Sequence, residues 1–359
     1  MRTTRPTLLL VALAATLAVA LAGGGSQPGA TADATAQAST TTLAPTTTVA
    51  PTTTVAPTTT TTAPAPSSLL PTSLTLWPHD FFSQGNVQSW PLLASSATFA
   101  TDIVAAYKWA YGSVGVNTMP IYTVPAHQRE VPVTVSPGCQ DFLKSTGSEI
   151  PIPSYVSLPG TSDNPLVIYQ PSTRLDWELW RATNNGNGTY SACWGGRIKL
   201  ATSDGVFRRF YGLSATGISY LATTVTEEDV ASGSIDHAIA LLIPNCNSWV
   251  YPANRGDCGS KPGQPSEGQW FRFPADLPMP SGLAPFAQMI FKAIQDYGAV
   301  VVDYAGAVVI EAEQTSDWAA EGHTGVDPIT ASWDHLPEYR VIANLPWSSL
   351  QAVQPPQPG

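Results

Sequence analysis

Apolar positions along this chain fall mostly into short runs separated by turn-forming residues. "VPVTV" (131–135), "NPLVIYQ" (164–170), "LDWELWRA" (175–182), "GGRIKLA" (195–201), "IDHAIALLI" (235–243) and "QWFRF" (269–273) are bounded in this way and read as β-strands. "AVVVD" (299–303) and "AVVIEAE" (307–313) read likewise, and the intervening "YAG" predicts a tight hairpin between them. Three segments carry helical spacing instead. "ATFATDIVAAYKWAYG" predicts a helix from about Ala97 to Tyr111, with Ile103, Val104, Tyr107 and Tyr111 on one side. "TEEDVASG" predicts a short helix capped by Thr226, with acids in its first turn and Gly233 as its stop. "APFAQMIFKAIQDYG" sets Phe286, Met289, Ile290, Ala293, Ile294 and Tyr297 at helical spacing before Gly298. That stripe predicts packing against a sheet and requires no cofactor. The sum is a mainly β fold, an antiparallel β-sandwich of jelly-roll-like form with a few short helices. The 33 prolines and 28 glycines agree with a turn-rich β architecture rather than long helices.

The pattern changes at the N-terminus. Arg2 and Arg5 precede an apolar run from Leu8 to Leu21, and "ALA" ends at Ala22, which is the layout of a cleaved secretory signal over residues 1–22. The run is shorter than the ~20 residues that span a bilayer. No lipid-carrying cysteine follows, since position 23 is Gly23. Residues 23–69 contain "TTTLAPTTTVAPTTTVAPTTTTTAPAP", in which recurrent proline blocks helix and ladder alike and threonine supplies little area to bury. An extended stalk is expected there, spacing the remainder from the cell envelope. Residues 70–359 are expected to form one β-sandwich domain.

Charge and cysteine content narrow the partners. Net charge is −10 with only 12% charged residues, so no basic surface is available to neutralise phosphates, and a nucleic-acid partner is excluded. Cys139, Cys193, Cys246 and Cys258 make an even count in an exported chain and predict two disulfides. Cys246 and Cys258 flank the turn-rich "NSWVYPANRGD", which favours 246–258 and therefore 139–193. No C-x-x-C spacing points to zinc.

Candidate chemistry begins with "LDWELWRA". Side chains alternate along a strand, so Leu175, Trp177 and Leu179 share a core face while Asp176, Glu178 and Trp180 share the other. Two carboxylates ~6.7 Å apart at Cα then stand beside an aromatic ring. Glycosidases use carboxyl pairs separated by ~5–5.5 Å or ~6.5–9.5 Å. Alternation alone also predicts a solvated polar face. His237 follows Asp236 on an otherwise apolar strand; it is a candidate acid/base, although a histidine so placed is more often a buried structural residue. Glu311 and Glu313 form a second same-face pair that reads as solvent-facing near the hairpin. His323, Asp334 and His335 show no metal-ligand spacing. Trp180, Trp194, Trp249 and Tyr251, among 11 tryptophans in all, lie near Asn, Gly and Arg residues, a mixture suited to stacking and hydrogen-bonding sugars. "NGT" at 187–189 fits a glycosylation acceptor and reads more simply as a turn. No G-x-S-x-G, P-loop or H-E-x-x-H motif is present.

The order of several segments resembles an uncharacterised family of exported bacterial proteins. The resemblance rests on Trp177-Glu178-Leu179, Asp204-Gly205, Gly233-Ser234-Ile235-Asp236-His237-Ala238, Tyr251-Pro252-Ala253, and Tyr297-Gly298 through Asp303. It implies one domain from about Trp77 onward and carries no activity with it. Asn164-Pro165-Leu166 stands where members carry an acidic-basic-His triplet, and Ala215-Thr216-Gly217-Ile218 replaces an "SGLP" segment. The function expected is that of a secreted or surface-tethered carbohydrate-active protein. Glu178 and Asp176 would act as acid/base or nucleophile with His237 assisting, by hydrolysis or elimination, on a cell-envelope or environmental polysaccharide. The alternative is a non-catalytic glycan-binding domain. No cofactor, no metal and no integral membrane segment after signal removal are implied, and a monomer is expected.

Overall fold

The most apolar runs of the chain gather at the centre of one sheet and are covered on both faces. The computed structural model describes residues 82–357, apart from 111 and 209. The signal at 1–22, the stalk at 23–69 and the first residues of the expected domain lie outside the described residues. All described residues fall within one unit, Thr62–Gly359.

In chain order the strands begin with β1 (Ser113–Met119), β2 (Ile121–Thr123), β3 (Val131–Val135) and β4 (Glu149–Ile150). Next come β5 (Leu166–Gln170), β6 (Leu175–Trp180), β7 (Thr183–Asn184), β8 (Tyr190–Ala192) and β9 (Trp194–Lys199). After a long strand-free stretch follow β10 (Ile239–Ile243), β11 (Trp270–Arg272), β12 (Ala299–Tyr304), β13 (Val309–Glu313) and β14 (Gln351–Val353). The helices are α1 (Ser96–Ala110), α2 (Leu143–Thr146), α3 (Glu227–Ser232), α4 (Pro285–Asp296), α5 (Pro328–Ala331) and α6 (Glu338–Val341).

Three mixed sheets result, ordered β1-β13-β10-β12-β11-β14, β2-β5-β6-β9 and β4-β3-β8-β7. The jelly-roll-like antiparallel sandwich expected from the sequence is met only in its coarser part: mostly strands, few short helices, no closed barrel. Antiparallel pairing is interrupted by the parallel pairs β1–β13, β10–β12, β2–β5 and β3–β8. The expected tight hairpin of β12 and β13 is also absent. β10 lies between them, parallel to β12 and antiparallel to β13. Its sequence, "IALLI", is apolar on both faces and suits the sheet interior better than an edge.

Each face of the six-stranded sheet has its own cover. Ile239, Leu241, Val301 and Ile310 pack with Phe286, Ile290 and Ile294 of α4 in one cluster. Ala240, Val300 and Val302 pack instead with Val206, Phe207, Ile218 and Tyr220, and also with Val167, Tyr169 and Ile198 of the second sheet. The second sheet's other face, with Ile168, Trp177 and Leu179, packs with Val133, Tyr190 and Phe142. Segment 206–222 is thus a layer of irregular chain between two sheets. Gly298 ends α4 at φ 92°, and a Cβ there would stand 2.9 Å from the Phe271 carbonyl oxygen. α3 has the expected cap: the Thr226 side chain accepts from the Asp229 N–H, the Asp229 carboxylate accepts from the Thr226 N–H, and Gly233 is left-handed.

Both expected disulfides form, Cys139–Cys193 with Cα atoms 5.0 Å apart and Cys246–Cys258 with 5.6 Å. Among the described residues no helix is long and apolar enough to cross a membrane.

Trp177 tests the layer assignment. It is buried in the third cluster and its indole N–H donates to the Thr146 carbonyl at 3.1 Å. Trp177→Ala should cost ~3–5 kcal/mol, read from urea denaturation. A loss within ~0.5 kcal/mol, the usual range for a surface change, would place the residue outside the core.

Candidate functional site

Both faces of β6 are buried, and this decides what its carboxylates can do. Asp176 and Glu178 are each 0% exposed. Their cross-strand partners are Tyr169 and Ile198 for Asp176, and Val167 and Gly196 for Glu178. The alternation expected from the sequence is present, but the second face is neither wet nor open, because segment 206–222 covers it. Gly196 permits the close approach: a Cβ there would stand 2.5 Å from the Gly212 nitrogen and 2.6 Å from the Phe207 ring.

Glu178 holds that covering segment by its backbone. One carboxylate oxygen accepts from the Tyr220 N–H at 2.7 Å and the Leu221 N–H at 3.4 Å, and the other accepts from the Leu213 N–H at 3.1 Å. Burial pushes its pKa up to about 7, against the pull of those donors. Asp176 accepts from the Ser219 hydroxyl at 3.1 Å, and burial together with the Glu178 charge raises its pKa well above the usual range. On the other side of the segment stands Asp303 of β12. It accepts from the Ala215 N–H at 3.0 Å and the Tyr220 hydroxyl at 3.1 Å with one oxygen, and from the Tyr304 N–H at 2.9 Å with the other. Burial lifts its pKa to about 6. Tyr220 is raised well above 10, first by burial and then by Asp303 and Glu311, so its hydroxyl stays protonated.

A cavity of ≈ 1370 Å³ opens beside this segment. Asp303, Tyr220, Glu311 and Arg255 line it, together with the aromatic residues Trp180, Trp194, Phe210 and Tyr211. Trp194 stacks on Tyr211 with ring centroids 5.4 Å apart, and its indole N–H donates to the Phe210 carbonyl. Trp180 donates to Asp163 at 3.1 Å and carries the Arg181 guanidinium 4.4 Å from its ring centroid. Glu311 lies across β1 at Gly115, where a Cβ would stand 2.9 Å from its carboxylate oxygen; the glycine makes room for the acid. The Arg255 guanidinium donates to the carbonyl oxygens of Phe210, Gly212 and Ser214. Burial lowers the Arg255 pKa, and Asp303, Glu178, Asp257 and Glu267 oppose that shift. Behind Asp257 lies Glu267, fully buried, accepting from the Cys258 N–H at 3.2 Å and pushed by burial to about 8. Asp257, Cys258 and Glu267 come within 4.8 Å of one another, but the Cys258 sulfur is bonded to Cys246 and is not a free metal ligand.

The expected site residues therefore separate. Trp180 and Trp194 line the cavity, and Asp176 and Glu178 lie behind its wall, outside its lining. His237 lies before β10 rather than within a strand. Its ring contacts the Asp229 carboxylate at 3.1 Å and the Ala238 carbonyl at 2.9 Å, away from the cavity lining. Trp249 is 47% exposed, and Tyr251 precedes a cis proline; neither lines the cavity. Glu311 and Glu313, read from the sequence as solvent-facing, are both buried, because β13 lies inside the sheet between β1 and β10 rather than in an exposed hairpin. Asp303, Tyr220 and Arg255 escaped the sequence reading. The one available signal was an acid ending the otherwise apolar "AVVVD".

No protein-family model, no curated protein and no solved structure matches the chain. What the site does must be argued from its own geometry.

The raised carboxyls predict how stability follows pH. Between its unfolded and folded pKa values such a group binds more protons when folded, so stability is lost as pH rises through that window. Asp303 at about 6, Glu178 at about 7 and Glu267 at about 8 all act in this direction. The melting temperature should fall from pH ~5 to ~8, and Glu178→Gln should make the fall shallower. An unchanged slope in the variant would show that Glu178 does not titrate in the window.

Proposed function

We propose that this protein is an exported, carbohydrate-active enzyme that hydrolyses a cell-envelope or environmental polysaccharide in the cavity at Asp303. The observation carrying the reading is a carboxylate on the cavity wall, oriented by two backbone N–H groups and the Tyr220 hydroxyl, among aromatic rings of the kind that stack on sugars. Three donors favour the charged form of Asp303 and burial opposes it, which leaves a group able to take a proton near neutral pH. In this reading Asp303 accepts a proton from the water that attacks the anomeric carbon. Glu311 gives a proton to the departing glycosidic oxygen as the C–O bond breaks, so one proton enters and one leaves the carboxyl pair. Tyr220 remains protonated and orients Asp303. Asp176 and Glu178, the pair singled out by the sequence, support segment 213–221 from behind. The leader-like N-terminus and the two disulfides support export.

A second reading is binding without cleavage, and exposed aromatic surface favours it. Phe210 at the cavity is 60% exposed, and Trp249 stands open elsewhere.

Reducing-end release from a polysaccharide panel separates the two. Hydrolysis should rise with pH through about 6, the Asp303 value. Asp303→Asn and Glu311→Gln should each lower it by ~10²–10⁴-fold while the chain still melts cooperatively. Retained rates in both variants would overturn the catalytic assignment. Binding with no release by the unmodified chain would establish the second reading.

A further inference from the structure

The charge on the cavity wall is one-sided, and it bears on which glycan the cavity takes. Asp163, Asp257, Asp303, Glu311 and Glu338 line it, whereas Arg255 is the one basic lining residue among those described. The Arg255 guanidinium donates to the carbonyls of Phe210, Gly212 and Ser214, so its charge serves the wall itself. A carboxylate on a ligand would enter facing five acids, with Arg255 already held by the wall's carbonyls and by the charges of Asp303 and Asp257. Phosphate and sulfate groups meet the same obstacle. Low-dielectric walls focus such a field into the opening and raise the local concentration of positive charge.

The aromatic lining points independently in the same direction. Trp194, Phe210, Tyr211, Tyr220 and Tyr304 all belong to the cavity lining, and Phe210 and Tyr304 are 60% and 52% exposed. Ring faces attract cations as well as sugar C–H surfaces. Carboxylates combined with aromatic faces form the usual receptor for an ammonium group. Outside the lining, the Arg181 guanidinium sits over the ring of Trp180, a lining residue, and shows the same attraction. With Asp303 and Glu311 assigned to the reaction and Asp163 accepting from the Trp180 indole N–H, Asp257 and Glu338 are the lining acids left to face a ligand, Glu338 also accepting from the Ser113 hydroxyl.

We infer that the cavity selects a glycan bearing free, protonated amino groups over its N-acetylated, neutral and uronic-acid counterparts. This rests on the proposed carbohydrate-active reading and adds the substrate class. Ammonium groups pair separately with Asp257 and with Glu338 at the cavity wall while the sugar rings lie against the aromatic side chains. A uronate polymer is excluded by like-charge repulsion, which also argues for hydrolysis rather than elimination next to a uronic acid.

The test is a titration of the full chain, followed by calorimetry, with four oligosaccharides of equal length: glucosamine, N-acetylglucosamine, glucose and uronate oligomers. The pH is set where the amine is protonated. The glucosamine oligomer should bind at least ~10-fold tighter than its acetylated form, a difference of ~1.4 kcal/mol, and the uronate should not bind. Raising the salt should shrink that advantage, because the Debye length falls from ~10 Å at 0.1 M to ~3 Å at 1 M. Asp257→Asn combined with Glu338→Gln should reduce it further. Equal affinity for the free-amine and acetylated oligomers would overturn the charge inference and leave the carbohydrate reading in place. No binding of any of the four would overturn both.

Discussion

Two carboxylates, one fully buried and one half-buried at the cavity, hold one irregular segment from opposite sides, and the rest of the site depends on that arrangement. Glu178 reaches from the second sheet to the N–H groups of Leu213, Tyr220 and Leu221. Asp303 reaches from the first sheet to the Ala215 N–H and the Tyr220 hydroxyl. Between them the segment is stitched by short polar side chains: the Ser214 hydroxyl donates to the Ile218 carbonyl, and the Thr216 hydroxyl donates to the Val302 carbonyl. A non-regular chain buried between two sheets would otherwise leave its N–H groups without partners, at ~1–3 kcal/mol each. Carboxylates solve this problem well because one group can accept several donors. The cost is desolvation of a negative charge, which appears as the raised pKa of both acids.

The same arrangement connects packing to chemistry. Tyr220 is the shared element: its backbone answers to Glu178 and its side chain to Asp303. The tyrosine that orients the cavity carboxylate is thereby fixed by a residue with no access to the cavity. Glycines set the clearances, with Gly196 admitting the segment against the second sheet and Gly115 admitting Glu311 against β1. Any side chain at either position would have to displace a neighbour on which the cavity wall depends.

Local structure was largely legible in the sequence. Periodicity and end signals located α1, α3 and α4, and turn-bounded apolar runs located β3, β5, β6, β9 and β11 to within a few residues. Both disulfide pairs were legible as well. Illegible was whatever depends on distant chain. Alternation in "LDWELW" correctly separated Trp177 from Glu178, yet the cover over Glu178 comes from Tyr220, 42 residues further on. Asp303 and the Ala215 N–H that it accepts are 88 residues apart. The hairpin expectation failed for a related reason: "YAG" reads as a turn in isolation, but Tyr304 stays in β12 and only the sheet as a whole reveals that β10 fills the space between β12 and β13. Several further strands, β4, β7 and β14 among them, are too short to leave a pattern of their own.

The positions of the disulfides carry one more implication, for when and where the cavity comes into being. Cys139 and Cys193 themselves line it, and Cys258 follows directly after the lining residue Asp257. Two of its walls are therefore fastened by bonds that persist in oxidising compartments and are rare in the reducing interior of a cell. A chain held reduced has the sheets' sequence but not the fastened walls. Assembly of the site is thus coupled to the redox state of the surroundings: an oxidising compartment completes these walls and a reducing one leaves them unfastened.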